Sequence, residues 1–152
     1  MDRRTAIYRF CNYQERSQQE VKDKLYELGS YPDEVNVLLA ELIEADLVNE
    51  ERFAKAFVRG KFRLKHWGRI KIVHELKAHR LSEYVLKKAL KEIDPNEYFQ
   101  TVERLAANKW NTISKQGGTL FVKKGKLYRY FQQKGFEPSI ISEVINNITA
   151  ME

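Results

Sequence analysis

Residues 17–39 read SQQEVKDKLYELGSYPDEVNVLL, and their punctuation predicts two helices joined by a short turn. Ser17 and Glu20 stand at capping-box spacing: the serine oxygen accepts from the third helical amide while the glutamate reaches back to the serine N–H. Gly29 falls where a helix needs a left-handed residue to end. Pro32 follows where a proline is tolerated in a first turn, because its missing N–H would be unpaired anyway.

The same marks recur along the chain, which is the signature of a repeat. Leu25, Leu76 and Phe131 align, 51 and 55 residues apart. Four residues later come Gly29, Arg80 and Gly135, each placed to end a helix. Six further on stand Val35, Leu86 and Ile141, and then the pairs Leu38/Leu39, Ala89/Leu90 and Val144/Ile145. Asp94-Pro95 opens a helix, and Pro138 repeats the first-turn proline. Upstream of each anchor lies a further helical stretch, over 3–13, 48–65 and 95–113. The expectation is an all-α protein of three tandem three-helix repeats, helix-turn-helix-like in part: 1–47 acidic, 48–93 strongly basic, and 94–152. A three-helix unit of roughly 50 residues can close a small core, and stacking three lengthens the body. Thr119–Val122 is the one β-like run, set in a Gly-rich connection.

Hydrophobic residues make up 43% of the chain and charged residues 32%, which excludes a disordered or membrane-embedded class. No apolar run nears the ~18 residues a membrane helix needs. The opening MDRRTAIYRF lacks a signal-peptide core, so a cytoplasmic, membrane-free protein is expected. Cys11 stands alone and reads as a core thiol among Tyr8, Phe10 and Tyr13. The net charge of +6 hides an asymmetry. Residues 1–51 carry 6 Lys/Arg against 12 Asp/Glu, whereas residues 52–91 carry 13 against 2. A field that strong faces an anionic partner, most often nucleic acid or an acidic protein surface.

Residues for catalysis do not assemble. His74 and His79 are five apart, on different sides of a helix turn, and His66 adds no partner at ligand spacing. Without a second cysteine or an acidic cluster there is no zinc shell, so neither metal nor cofactor is expected. Gly125-Lys126 ends like a phosphate loop, but Leu120 stands where the loop needs glycine and Leu127 where it needs Ser or Thr. A non-enzymatic binding protein is the expectation.

Projected on a helix, residues 52–65 put Phe53, Phe57, Gly60 and Leu64 on an expected buried stripe. Arg52, Lys55, Arg59 and Arg63 fall within about 80° on another face, and Lys61 and Lys65 flank the expected buried stripe from the other side. Arg59 and Arg63, one turn apart, form a ridge able to grip phosphates or carboxylates. Arg69, Lys71, Lys77 and Arg80 extend the basic run, and Lys87, Lys88 and Lys91 follow. Only Glu75 and Glu83 interrupt these 13 cations, so the i,i+4 pairs of an ordinary solvated face are missing. The candidate binding residues are therefore Arg52, Lys55, Arg59, Lys61, Arg63, Lys65, Arg69, Lys71, Lys77, Arg80, Lys87 and Lys88. A second basic stretch, Lys109–Lys134, holds seven Lys/Arg and no acid, with Tyr128 and Tyr130 as candidate base contacts.

Three segments resemble the RecX regulatory proteins of bacterial recombination. Arg16-Ser17-x-x-Glu20-Val21 with Leu25 and Gly29 resembles the family's opening motif. Leu47-Val48-Asn49-Glu50-Glu51-Arg52-Phe53-Ala54, followed by Phe57-Val58-Arg59, resembles its central block. Gly68-Arg69-Ile70 with Glu75-Leu76 resembles the third. There are departures: Asn49-Glu50 replaces an acidic pair, and Asp46 and Arg80 stand where glycines are common. The resemblance implies a curved, elongated body of three three-helix repeats. It also implies a non-catalytic modulator, chiefly inhibitory, of the RecA recombinase filament, lying in the filament groove and lowering ATPase and strand exchange. Many such proteins bind DNA directly, so the expected partners are the RecA filament and single- or double-stranded DNA without sequence preference, bound by a monomer. The alternative is a free-standing helix-turn-helix DNA-binding protein, although no helix presents the polar start that base readout needs.

Overall fold

In the computed structural model residues 1–150 are described, and among them nine α-helices and no strand are found. They are α1 (Arg3–Tyr13), α2 (Gln18–Glu27), α3 (Pro32–Glu44), α4 (Glu50–Lys65), α5 (Arg69–Lys77), α6 (Glu83–Leu90), α7 (Pro95–Ile113), α8 (Leu120–Lys134) and α9 (Pro138–Ala150). The expected helical stretches 3–13 and 95–113 coincide with α1 and α7.

Helix starts follow their chemistry. Ser17 accepts from the Glu20 N–H at 3.1 Å while the Glu20 carboxylate accepts from the Ser17 N–H at 3.0 Å, closing the capping box. Pro32, Pro95 and Pro138 open α3, α7 and α9. Asn49 caps α4, its side-chain oxygen accepting from the Arg52 N–H at 3.0 Å. The β-like run Thr119–Val122 is a helix start instead. Thr119 caps α8 by accepting from the Val122 N–H at 3.2 Å, and this cap outweighs the strand preference of two β-branched residues.

Helix ends explain the departures from the family pattern. Gly29 and Gly135 adopt φ of +95° and +88°, and Arg80, in the matching position of the second repeat, adopts +56°. Asp46 is likewise left-handed at +57°. Both non-glycine residues keep the turn geometry a glycine would supply, at a cost of about 1 kcal/mol each.

The chain forms two compact units. The first comprises Met1–Val58 with Glu75–Glu92, the second Arg59–His74 with Ile93–Glu152. In the first, Ile7, Cys11, Val21, Leu25, Val35, Leu38, Leu39, Leu42 and Val48 form a buried cluster against which Tyr8, Phe10 and Leu47 pack. Burial pushes the Cys11 thiol up to about 11, as a core thiol requires. In the second, Phe62 and Phe136 stand 5.6 Å and 5.3 Å from the Tyr98 ring, and Phe131 lies 5.7 Å from Phe136. The anchors Leu25, Leu76 and Phe131 are all fully buried.

The α4 stripe needs correction. Phe53 is buried as expected, but the line of contact runs through Ala54, Val58 and Phe62, each four residues apart, and Leu64 is 82% exposed. Ala54 and Val58, both fully buried, stand one residue, or about 100°, round the helix from Phe53 and Phe57 of the expected stripe. The buried line thereby runs beside the cation ridge, whose Lys55 and Arg59 are half-buried and whose Arg63 is exposed.

Candidate nucleic-acid interface

Helix α4 carries the ridge. Its first turn holds Glu50 and Glu51 and its last turn Arg63 and Lys65, an arrangement that suits the helix dipole. Arg52, Lys55, Arg59 and Arg63 recur at three- and four-residue steps on one side of the helix, outside the buried line of Ala54, Val58 and Phe62. Arg52, Lys55, Lys77, Arg80, Lys87 and Lys88 fall in the first unit; Arg59, Lys61, Arg63, Lys65, Arg69 and Lys71 fall in the second.

These cations differ in how far their own neighbours hold them. Arg52 is tied inward: it pairs with Glu15, reaches the Asp46 carboxylate at 3.2 Å and donates to the Asp46 carbonyl at 2.9 Å. It thereby fastens the left-handed turn at Asp46. Lys88 meets Glu51 at 3.1 Å. Lys55 and Arg59 are half-buried, whereas Lys65, Lys77, Arg80 and Lys87 are exposed. Arg63, more than half exposed, stands 3.8 Å from Glu97, a loose pair that solvent screens. Lys61 and Lys71 place their ammonium groups 4.9 Å and 4.4 Å from the centre of the Trp67 ring.

Arg69 is built into the second unit. Its guanidinium meets Glu137 at 2.8 Å and lies 3.9 Å over the Tyr98 ring, while its backbone N–H donates to the Tyr98 hydroxyl at 3.0 Å. The Tyr98 hydroxyl in turn donates to Glu137. Burial, and then this bond to Glu137, pushes the Tyr98 phenol well above its ordinary range. The Gly68-Arg69 pair of the third motif thus serves as a clasp.

Two further features are invisible along the sequence. The Ser17 hydroxyl lies 2.8 Å from Nδ1 of His79, whose ring packs 4.8 Å from Phe53. His66 is left-handed, its Nδ1 is buried, and burial together with Arg104 and Lys134 pushes its imidazole down. Neither histidine has a metal shell: no group of three His, Cys, Asp or Glu that could hold an ion occurs among the described residues. Nor is any helix among them long and apolar enough to cross a membrane.

Capped three-helix modules in series, with a cation ridge on the helix that opens the middle one, define a tandem helical-repeat protein with a basic face. Residues 49–90 match the family model for the second three-helix domain of RecX, and residues 96–145 match that for the third. The chain belongs to the RecX family. It is 29% identical over 137 residues to a regulatory protein RecX of Clostridium perfringens, covering 90% of this chain and 64% of that one. The chain thus spans just under two thirds of the length of that relative. The crystal structure of RecX from Lactobacillus salivarius superposes with a TM-score of 0.85 at 24% identity, over 97% of this chain and 95% of that one. A second crystal structure of a regulatory protein RecX superposes at 0.80 and 20% identity, over 95% and 72%.

Proposed function

We propose that this chain binds the RecA recombinase filament and restrains its ATPase and strand-exchange activities, without an active site of its own. Membership of a family whose members are named regulatory proteins supports the reading. The observation that carries the surface is the succession of Lys55, Arg59 and Arg63 along one side of α4, none of them a member of the buried line Ala54, Val58 and Phe62. Cations so placed can meet phosphates or carboxylates without disturbing the fold. Lys77, Arg80 and Lys87 add charge in the first unit, and Lys65 and Lys71 in the second; Arg52, Arg69 and Lys88 chiefly hold the structure that presents them. DNA would be bound through its backbone, single- or double-stranded, without sequence preference. In this reading the protein works in the cytoplasm as a monomer of three repeats, bounded near residues 47 and 93, in recombination and repair.

The test is single-strand-dependent ATP hydrolysis by purified RecA, measured as the chain is titrated in. A dose-dependent fall supports the proposal. Unchanged hydrolysis and strand exchange, with tight binding to one duplex sequence, would instead establish a free-standing DNA-binding protein.

A further inference from the structure

The acid-free stretch Lys109–Lys134 plays no part in the ridge. Within the second unit, α8 and α9 border an open groove of about 350 Å³, lined by Phe121, Lys124, Gly125 and Tyr128 from α8 and by Ser142, Ile145 and Asn146 from α9. Phe121 is 85% exposed, and beside it Leu120 and Val122 are 52% and 43% exposed. Apolar exposure concentrated on one helical turn marks a place where something binds.

The glycine is the informative residue. Gly125 sits inside α8, where glycine is unfavourable relative to alanine, and nothing lies within 4 Å of the position its Cβ would take. The fold itself gives no reason for the missing side chain. Phe121, Gly125 and Tyr128 follow one another at i, i+4 and i+7, so the glycine leaves a gap between two aromatic rings on one helix face.

Charge and polarity select the occupant. Lys124 lines the groove, and the stretch Lys109–Lys134 brings six further cations and no acid; Glu143 of α9 follows Ser142 in sequence but lies outside the lining. Ser142 and Asn146 supply hydrogen-bonding groups to the opposite wall. Aromatic faces, a cation for phosphate and polar groups for base edges are the components of a site for splayed-out bases. Tyr130, by contrast, lies against Phe131 with Lys109 and Lys134 over its ring. We propose that the α8–α9 groove seats unstacked bases of a single-stranded nucleic acid. Duplex DNA, whose bases are already stacked, would gain nothing from it.

The experiment fills the groove in the full chain. Gly125→Leu restores a good helix former and projects into the gap; Phe121→Ala with Tyr128→Ala removes the rings. Fluorescence anisotropy with labelled oligo(dT) and with a duplex of equal length reads the result, and circular dichroism checks the fold. Each variant should bind oligo(dT) at least about tenfold more weakly, the effect of losing a base–aromatic stack. Duplex affinity should stay within about twofold. Unchanged oligo(dT) binding by Gly125→Leu, an equal loss for both nucleic acids, or a loss confined to a protein partner would overturn the assignment. The inference is independent of the recombinase reading: a selective single-strand loss in a chain that leaves RecA untouched would retain this site and discard that function.

Discussion

Gly68 and Gly135 lie backbone against backbone: a Cβ on Gly68 would stand 2.3 Å from the Gly135 carbonyl oxygen. The Gly68 N–H donates to the Lys134 carbonyl at 2.7 Å, and the Ile70 N–H donates to the Gly135 carbonyl at 3.0 Å. The turn before α5 is thus joined to the turn before α9 by main-chain bonds, an approach that only a residue without a side chain permits. The glycine that opens the third family motif has a structural cause.

Gly68→Ala should therefore destabilise the protein by about 1–3 kcal/mol or more, since the obstructing atoms are backbone and cannot swing aside. Gly60→Ala should do the reverse. Nothing lies within 4 Å of its would-be Cβ, so alanine in the interior of α4 should add roughly 0.5–1 kcal/mol. Urea unfolding of the two variants beside the wild type checks both signs.

Arginines of the basic run should separate into two kinds. Arg69→Ala strips Glu137 of its cationic partner in a half-buried setting, leaving it only the Tyr98 hydroxyl, and should lower stability by about 1–3 kcal/mol. Tyr98→Phe, which leaves the Arg69 N–H without its acceptor, should act similarly. Arg63→Ala, which loses only the loose, exposed pair with Glu97, should stay within about 0.5 kcal/mol of wild type. Equal destabilisation by the Arg63 and Arg69 variants in thermal melts would contradict this division.

The ridge prediction concerns binding. Arg59→Glu with Arg63→Glu should leave the helical spectrum unchanged and sharply weaken attachment to DNA and to the RecA filament. The slope of log affinity against log salt for duplex DNA should fall by about 0.9 for every phosphate that the variant no longer neutralises. Arg9→Glu, an exposed reversal in the acidic first segment, serves as control and should change neither. Wild-type binding by the double variant at several salt concentrations would reduce the ridge to a solvated face.

Acid should loosen the first unit by a specific route. Bonds from Arg3, at 3.0 Å to Oε2, and from the Ser30 hydroxyl, at 2.8 Å to Oε1, hold the Glu34 carboxyl down to about 2 against an ordinary value of 4.5. Below pH about 4.5 the unfolded chain takes up the proton first, so the stabilisation from this carboxylate fades as pH falls and is gone once pH passes about 2. Urea midpoints measured from pH 6 to pH 2 should drop over that window, and Glu34→Gln should flatten part of the drop.

Much of the fold is legible in the sequence because helix ends are local chemistry. Ser17, Pro32, Asp94 and Gly135 act on residues within one turn, so their effects can be read without knowing the partners. Burial along α4 is legible only in outline: hydrophobic spacing alone favours Leu64, whereas the burial runs through Ala54, Val58 and Phe62, and an alanine gives a hydrophobic pattern little weight. The roles of Arg52 and Arg69 are not legible. Their partners Glu15 and Glu137 lie 37 and 68 residues away, and a run of cations looks the same whether or not acids from elsewhere fold back onto it.

The two units interleave along the chain, and this has a consequence for synthesis. When a ribosome has emitted residue 92, the first unit is complete in sequence, but only residues 59–74 of the second exist. That segment contains Phe62 and Ile72, both buried in the finished protein, and the Tyr98 ring that packs on Phe62 has yet to be made. Half of α4 and most of α5 must therefore wait, apolar side chains uncovered, for α7 to arrive. A fragment ending near residue 92 would keep that uncovered surface permanently and invite association, while one beginning at residue 93 would lack the strip its own core closes upon.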